Sequence, residues 1–189
     1  LPVSPYGASK KMGEALLMWA SKEYGISSVI LRYFNVAGAT GDGCMGERGT
    51  HFHLVRAAAR TALGLQEKLR VQGVSFETPD GTSIRDYVHI EDIADLHIKS
   101  LDYLVDGGEN ATFNCSYGRG FSVMQVRNMM ERVAGKPIPI EIVDRRPGDP
   151  AQIFGDSSLA AETLNWSPRF DSLEAICRST YEWEKSRLV

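Results

Sequence analysis

The sequence lacks the features that would assign it to a membrane, a nucleic acid or an oxidising compartment. No apolar run approaches the ~20 residues needed to cross a bilayer, and the first ten residues do not resemble a signal peptide. The net charge of −3 offers no basic surface for nucleic acid or lipid headgroups. The three cysteines, Cys44, Cys115 and Cys177, are far apart, so neither a disulfide framework nor a paired metal-ligand spacing emerges. A soluble, cytoplasmic protein is expected.

The pattern of apolar residues predicts alternating helices and strands. Among the 189 residues, 43% are hydrophobic and 24% charged, which is ordinary globular composition. Helical spacing is found in 11–24, 53–64, 91–105, 122–134, 157–164 and 172–187, and strand-like composition in 28–34, 69–71, 112–115 and 138–143. Such alternation indicates an α/β layered architecture with parallel strands. The class alone assigns no function.

Tyr6 and Lys10 are the first candidates for chemistry. They lie four residues apart where a helix is predicted to begin, so both side chains can project from one face. A phenol is a poor base at neutral pH, but a nearby ammonium stabilises the phenolate. The spacing is not specific by itself, because Tyr181 and Lys185 repeat it in the last predicted helix. There we interpret the tyrosine as packed and the lysine as solvated.

Five phrases place the first pair in a family context. They are SPYGASK at 4–10, LRYFNVAGA at 31–39, MGE at 45–47, DGTSIRDYVHIEDIADLH at 80–97 and RRPGDPAQ at 145–152. In order and spacing they resemble the extended short-chain dehydrogenase family, and within it the UDP-galactose 4-epimerases. The resemblance covers essentially the whole chain. Another UDP-sugar epimerase, such as a UDP-N-acetylglucosamine 4-epimerase, is the first alternative, and a decarboxylase or dehydratase is a more distant one.

This resemblance implies a fold and a division of the chain. It implies the C-terminal part of an NAD-binding, Rossmann-like, doubly wound domain together with a smaller α/β substrate domain. Residues 1–64 would then be the C-terminal remnant of the dinucleotide-binding domain. Residues 65–189 would mainly form the UDP-sugar-binding domain, with segments near 86–120 returning to the Rossmann sheet. The complete enzyme would be a homodimer with no nucleic-acid or membrane partner.

The resemblance also implies a reaction. NAD-dependent epimerisation would invert C4 of a UDP-hexose through a 4-keto intermediate. Tyr6 would remove the proton of the 4-hydroxyl, Lys10 would assist it and hold the nicotinamide ribose, and Phe34 would lie beside the nicotinamide. A competing hypothesis is a truncated fragment that lacks the pyrophosphate-binding glycines and at most binds UDP-sugar. On either hypothesis the isolated 189-residue chain is expected to be inactive.

Two arginines are candidates for binding the diphosphate. Guanidinium groups match the geometry and charge of phosphate oxygens, and Arg85 and Arg146 both lie in the family-like phrases. The alternative for each is an ordinary salt bridge, Arg85 with Asp86 or Arg146 with Asp149.

Other substrate contacts are implied by resemblance alone. Asp149 would accept hydrogen bonds from the ribose hydroxyls, and Ile153 would form a wall of the sugar pocket. Gln72 stands where the family typically has a phenylalanine, so stacking on the uracil is not expected from it. The implied substrate-binding set is Asn35, His53, Leu54, Arg70, Val71, Gln72, Arg85, Arg146, Asp149 and Ile153.

Glycines and histidines suggest further sites that the sequence does not support. Gly41, Gly43 and Gly46 spell G-x-G-x-x-G, but Asp42 and Glu47 add negative charge and the next predicted helix starts several residues later. A loop is therefore predicted.

His51 and His53 match no closed zinc site, so no metal is expected. We interpret His89 as a structural histidine and His97 as a helix-surface residue.

Overall fold

The computed structural model describes residues 2, 4–49 and 53–188. Within these ranges the chain forms six helices, at Pro5–Tyr24 (α1), Leu54–Ala62 (α2), Ile90–Val105 (α3), Val123–Ala134 (α4), Ser158–Leu164 (α5) and Leu173–Ser186 (α6). The strands are Val29–Tyr33 (β1), Asn35–Ala37 (β2), Leu69–Gln72 (β3), Ile84–Arg85 (β4), Tyr87–His89 (β5), Ala111–Cys115 (β6), Phe121–Ser122 (β7), Ile140–Val143 (β8) and Gln152–Ile153 (β9).

The predicted alternation is confirmed, with two differences. The first helix begins at Pro5, because the Ser4 hydroxyl accepts a hydrogen bond from the Gly7 amide at 3.1 Å and caps it. The predicted strand 28–34 is interrupted at Phe34, where the chain passes from β1 to β2. The two-residue strands β4, β7 and β9 and the short β5 were not predicted.

Parallel pairing, predicted from the alternation, is confirmed for three of the sheets. β1 pairs with β6, β2 with β5 and β3 with β8, all in parallel. The fourth sheet is mixed, because β4 pairs in parallel with β9 and antiparallel with β7. β4 thus lies centrally between two segments that are distant in sequence.

Two apolar clusters hold these layers together. The first joins α2, α4 and α6 over β3 and β5, and includes Val55, Leu69, Val126, Met130 and Ile176. The second lies between β5, β6, α3 and the segment around α5, and includes Val88, Leu96, Phe113, Cys115 and Trp166.

A buried ion pair reinforces the first cluster. The Glu184 carboxylate on α6 is 2% exposed and accepts from Arg56 Nε at 2.5 Å and Arg60 Nη1 at 2.8 Å on α2. The two helices are therefore joined by charge as well as by apolar packing.

Helix α1 is attached to the rest of the chain mainly by polar contacts. Arg32 on β1 donates to Glu14 at 2.6 Å, and the hydroxyls of Ser21 and Ser28 are 2.9 Å apart. Gly25, with φ of 66°, ends the helix in the left-handed conformation. Large apolar side chains remain exposed along it, including Trp19 at 79%. No described helix is both long and apolar enough to span a membrane.

Candidate functional site

Tyr6 and Lys10 lie together on the first turns of α1. The Lys10 ammonium is 5.2 Å from the centroid of the Tyr6 ring, and Tyr6 is 72% exposed. The phenol and the ammonium therefore share one accessible face. The second pair differs as predicted, because Tyr181 is buried in the first cluster and Lys185 is exposed beside Glu182.

Arg85 is held almost entirely by the segment that leads into β9. Its Nη2 donates to the Asp149 carboxylate at 2.6 Å and to the Pro150 carbonyl at 2.8 Å. Its Nη1 donates to the carbonyls of Ile84 at 2.6 Å and Ala151 at 3.4 Å. The side chain is 11% exposed. Arg85 does form a salt bridge, as the alternative predicted, but its partner is Asp149 and not Asp86.

Arg146 behaves differently from Arg85. Its side chain is exposed and has no hydrogen bond or ion pair with any described residue. The predicted alternative of an Arg146–Asp149 salt bridge is wrong, because the Asp149 carboxylate is taken by Arg85. The neighbouring Arg145 donates to the Asp149 carbonyl at 2.8 Å and lies 4.1 Å over the Phe76 ring. Arg146 thus presents its guanidinium to solvent.

Phe34, between β1 and β2, and Asn35, the first residue of β2, lie in the same region as Arg85. The Asn35 amide donates to the Asp86 carbonyl at 2.9 Å, and the Asp86 amide donates to the Ile153 carbonyl at 3.0 Å. Phe34 packs on Gly155, where a Cβ would lie only 2.4 Å from the ring. Ile153 is 39% exposed at the edge of this arrangement. The backbone around Asp86 therefore brings β2, β4 and β9 together.

His53 and Leu54 open helix α2. His53 is the N-cap residue, and its amide and its Nδ1 each lie 3.1 Å from the Glu47 carboxylate. Its side chain is 75% exposed, whereas Leu54 packs partly against the first cluster. His51 lies outside the described residues. Within those residues no group of three or more metal-ligating side chains comes together.

Arg70, Val71 and Gln72 lie together on β3. Arg70 is exposed, with Nε 3.5 Å from the Glu141 carboxylate of β8. Val71 is fully buried, so any ligand contact from it would use its backbone. Among the described residues, no hydrogen bond or ion pair joins β3, His53 or Tyr6 to Arg85 and Asp149.

The G-x-G-x-x-G segment forms a turn, as predicted. The Gly41 amide donates to the Glu91 carboxylate at 2.7 Å, and the Asp42 carboxylate accepts from the Thr40 hydroxyl at 2.5 Å and the Cys44 amide at 2.9 Å. Carboxylates occupy the donors that a phosphate would need. The segment is therefore not a dinucleotide cradle.

The two other histidines occupy the places predicted for them. His89 is buried, accepts from the Glu91 amide through Nδ1 at 3.2 Å and lies 3.0 Å from the Ser179 hydroxyl through Nε2. Burial lowers the pKa of His89. His97 is exposed on α3 and lies 2.7 Å from the Tyr33 hydroxyl.

His89 also borders a groove of about 500 Å³ between the 39–43 loop and α6. The sequence did not predict this groove, and no predicted site residue lines it.

Asp86 is the residue at the centre of the site that sequence reasoning missed. It was considered only as a salt-bridge partner, whereas its fully buried carboxylate accepts from the amides of Tyr117 and Gly118. The only signal was its position between Arg85 and Tyr87 in a family-like phrase.

Comparison with known proteins identifies the family. The model of the GDP-mannose 4,6 dehydratase family matches residues 1–180, and the α/β fold with its parallel strand pairs is that of solved Rossmann-like epimerases. The chain belongs to this family. It is 45% identical over 187 residues to the UDP-glucose 4-epimerase of Azospirillum brasilense, covering 98% of the chain and 54% of that relative.

Two solved structures also match nearly the whole of this chain with only part of their own length. The UDP-glucose 4-epimerase of Stenotrophomonas maltophila, with bound NAD and formylated UDP-arabinopyranose, matches with a TM-score of 0.90 and 37% identity. The UDP-Glc/GlcNAc 4-epimerase of Campylobacter jejuni matches with a TM-score of 0.78 and 42% identity. Each match covers 98% of this chain, and 56% and 57% of the two structures. The chain therefore spans about half the length of the relatives it matches.

Proposed function

We propose that this chain provides part of an NAD-dependent epimerase that inverts C4 of a UDP-hexose, interconverting UDP-glucose and UDP-galactose. The observation that carries the proposal is the convergence of Asn35, Arg85, Asp149 and Ile153 where β2, β4 and β9 meet. The chain belongs to a sugar-nucleotide family, and a relative 45% identical to it is named UDP-glucose 4-epimerase.

Tyr6 and Lys10 would carry out the proton transfer. NAD, when bound, supplies a hydride acceptor. The Tyr6 phenolate would take the proton of the 4-hydroxyl as the C4 hydride leaves, giving a 4-keto sugar. After the 4-keto sugar has rotated, Tyr6 would return the proton to the oxygen at C4. Lys10 would stabilise the phenolate and hold the nicotinamide ribose. The fit is supported by the exposed face that this pair shares and by the small Gly7, Ala8 and Ser9 between them.

UDP would be held by groups that leave the hexose free to rotate. Arg85 and Arg146 would bind the diphosphate, and Asp149 the ribose hydroxyls. The exposed guanidinium of Arg146, which has no hydrogen-bond or ion-pair partner among the described residues, supports the assignment to the diphosphate. Strong contacts to UDP and weak ones to the hexose would allow hydride to return to the other face of C4.

The remaining predicted residues would surround this core of contacts. Phe34 would flank the nicotinamide and Asn35 the sugar, while Ile153 would limit the size of the sugar pocket. The proposed nucleotide contacts come from β3 and the start of α2, namely Arg70, Val71, Gln72, His53 and Leu54.

An N-acetylated substrate is the second candidate. It is favoured by the 42% identity to an enzyme named UDP-Glc/GlcNAc 4-epimerase and by the exposure of Ile153 at the proposed wall of the pocket.

A homodimer is proposed for the complete enzyme. We keep the division at residue 64 as a proposal, with 86–120 returning to the first domain, since β5 and β6 pair with β2 and β1.

The test is an activity panel on the longest natural reading frame that contains this chain, with the 189-residue chain assayed beside it. UDP-galactose, UDP-N-acetylgalactosamine and UDP-glucuronate would each be offered with NAD, and the products separated by chromatography. We expect conversion of UDP-galactose to UDP-glucose by the longer protein and none by the 189-residue chain. Turnover of none of the three sugars by the longer protein would refute the proposal.

A further inference from the structure

Asp86 is a buried carboxylate whose hydrogen-bond partners among the described residues include no cation. It is 0% exposed, and its oxygens accept from the Tyr117 amide at 3.1 and 3.2 Å and from the Gly118 amide at 3.1 Å. The 117–118 turn that supplies these amides lies against the segment after β9, because a Cβ at Gly118 would be 3.7 Å from the Gly155 carbonyl oxygen. Burial, the largest influence, raises the pKa of Asp86. A carboxylate in such a place is costly unless several amides satisfy it.

The 117–118 turn, whose amides Asp86 binds, lies next to the proposed site through its contact with Gly155. Gly155 follows β9 and lies against Phe34. The backbone of Asp86 reaches the other flanks, because its amide donates to Ile153 and its carbonyl accepts from Asn35. One residue therefore fixes β2, β4, β9 and the 117–118 turn relative to one another.

The same segment supplies the partners of Arg85. Its guanidinium is held by the Asp149 carboxylate and by the carbonyls of Pro150 and Ala151, all in the stretch that leads into β9. If this stretch moved away from β4, Arg85 would lose three of its four acceptors at once. The position of Arg85, the proposed diphosphate-binding residue, thus depends on the contact between β9 and β4.

We infer that Asp86 is a positioning residue for UDP-sugar binding, which acts by fixing the 117–118 turn against the 149–155 segment so that Arg85 and Asp149 stay in place. This inference rests on the proposed function. Asp86 itself is fully buried and would not contact the substrate. Its effect is expected on the affinity for UDP, because the residues that it orients are the proposed UDP ligands.

The test compares Asp86→Asn with Asp80→Asn in the longest natural reading frame. In Asp86→Asn the side-chain oxygen can still accept a hydrogen bond. The NH2 group that replaces the other oxygen is a donor, so it cannot accept from the Tyr117 and Gly118 amides. Asp80 is the matched control, since its carboxylate also accepts hydrogen bonds, from the Thr82 amide and from the Ser122 hydroxyl on β7, and it is not a proposed ligand. Melting temperature and the Kd for UDP would be measured for both variants and the wild type.

We expect both variants to lower the melting temperature, and only Asp86→Asn to raise the Kd for UDP, by about tenfold. A Kd within twofold of wild type in folded Asp86→Asn, or an equal rise in Asp80→Asn, would overturn the inference. If Asp86→Asn does not fold, Asp86→Glu, which keeps the charge but displaces the carboxylate, decides by the same criteria. Failure of both to fold would also overturn it. Wild-type protein that does not bind UDP would instead refute the proposed function.

Discussion

Gly155 provides a quantitative test of how tightly the site is packed behind Phe34. A Cβ at residue 155 would lie 2.4 Å from Phe34 Cζ, 2.6 Å from Cε2 and 2.8 Å from the Ser116 hydroxyl. All three distances are below normal van der Waals contact, so Gly155→Ala forces either the ring or the backbone to move. Inserting a methyl group into a packed site typically costs about 1–3 kcal/mol.

The surroundings place the expected cost near the middle of that range. Phe34 is only partly buried and can give way, which lowers the cost. Ser116, which directly follows β6, is fully buried, so it has less room to move than Phe34. We therefore expect Gly155→Ala to lower the free energy of unfolding by about 2 kcal/mol.

Urea denaturation measures this change directly. With a slope of about 2 kcal/mol per molar, the midpoint would fall by roughly 1 M while the slope stays unchanged. Gly13→Ala is the matched control, because Gly13 lies within α1 and a Cβ there would meet nothing within 4 Å. That variant should gain up to about 1 kcal/mol from helix propensity. A free energy for Gly155→Ala within 0.5 kcal/mol of wild type, roughly the effect of a neutral surface change, would refute the packing account.

Two further predictions concern stability. Glu184→Gln removes the buried charge that Arg56 faces and should lower the free energy of unfolding by about 3–5 kcal/mol, while the exposed Glu182→Gln should change it by less than about 0.5 kcal/mol. Similar losses in both urea titrations would contradict the buried-pair assignment. For His89 the folded pKa is lowered from 6.5, so below that pH the unfolded chain binds more protons and stability falls, by at most about 1.4 kcal/mol per pH unit. His89→Gln should show a shallower loss between pH 6.5 and 5 than wild type, and equal slopes would refute the assignment.

The helices were predictable because their signals are local. Ser122 and Gln125 form a capping box at the start of α4, and Gly25 ends α1 in the left-handed conformation that favours glycine. Strand β4 has no such signal. Its two residues become a strand only because Gln152–Ile153 and Phe121–Ser122 arrive beside it from elsewhere in the chain.

The sequence named candidate site residues one by one, but it did not show how they are connected in the structure. Arg85 and Asp149 were both named from their phrases, yet nothing in either phrase shows that they pair with each other at 2.6 Å. The hydrogen bonds of Asp86 could not be predicted from the sequence either. Its partners are backbone amides, which every residue except proline carries, so side-chain identity gives no sign of them.

Substitution of Tyr6 tests the central claim most directly. In the longest natural reading frame, with NAD and UDP-galactose supplied, Tyr6→Phe removes the proposed base and leaves the ring. The control is Tyr24→Phe, the same change at another exposed tyrosine of α1. We predict that Tyr6→Phe lowers kcat for UDP-glucose formation by about 100-fold or more, and that Tyr24→Phe leaves it unchanged. Wild-type kcat in the Tyr6→Phe enzyme would contradict the account.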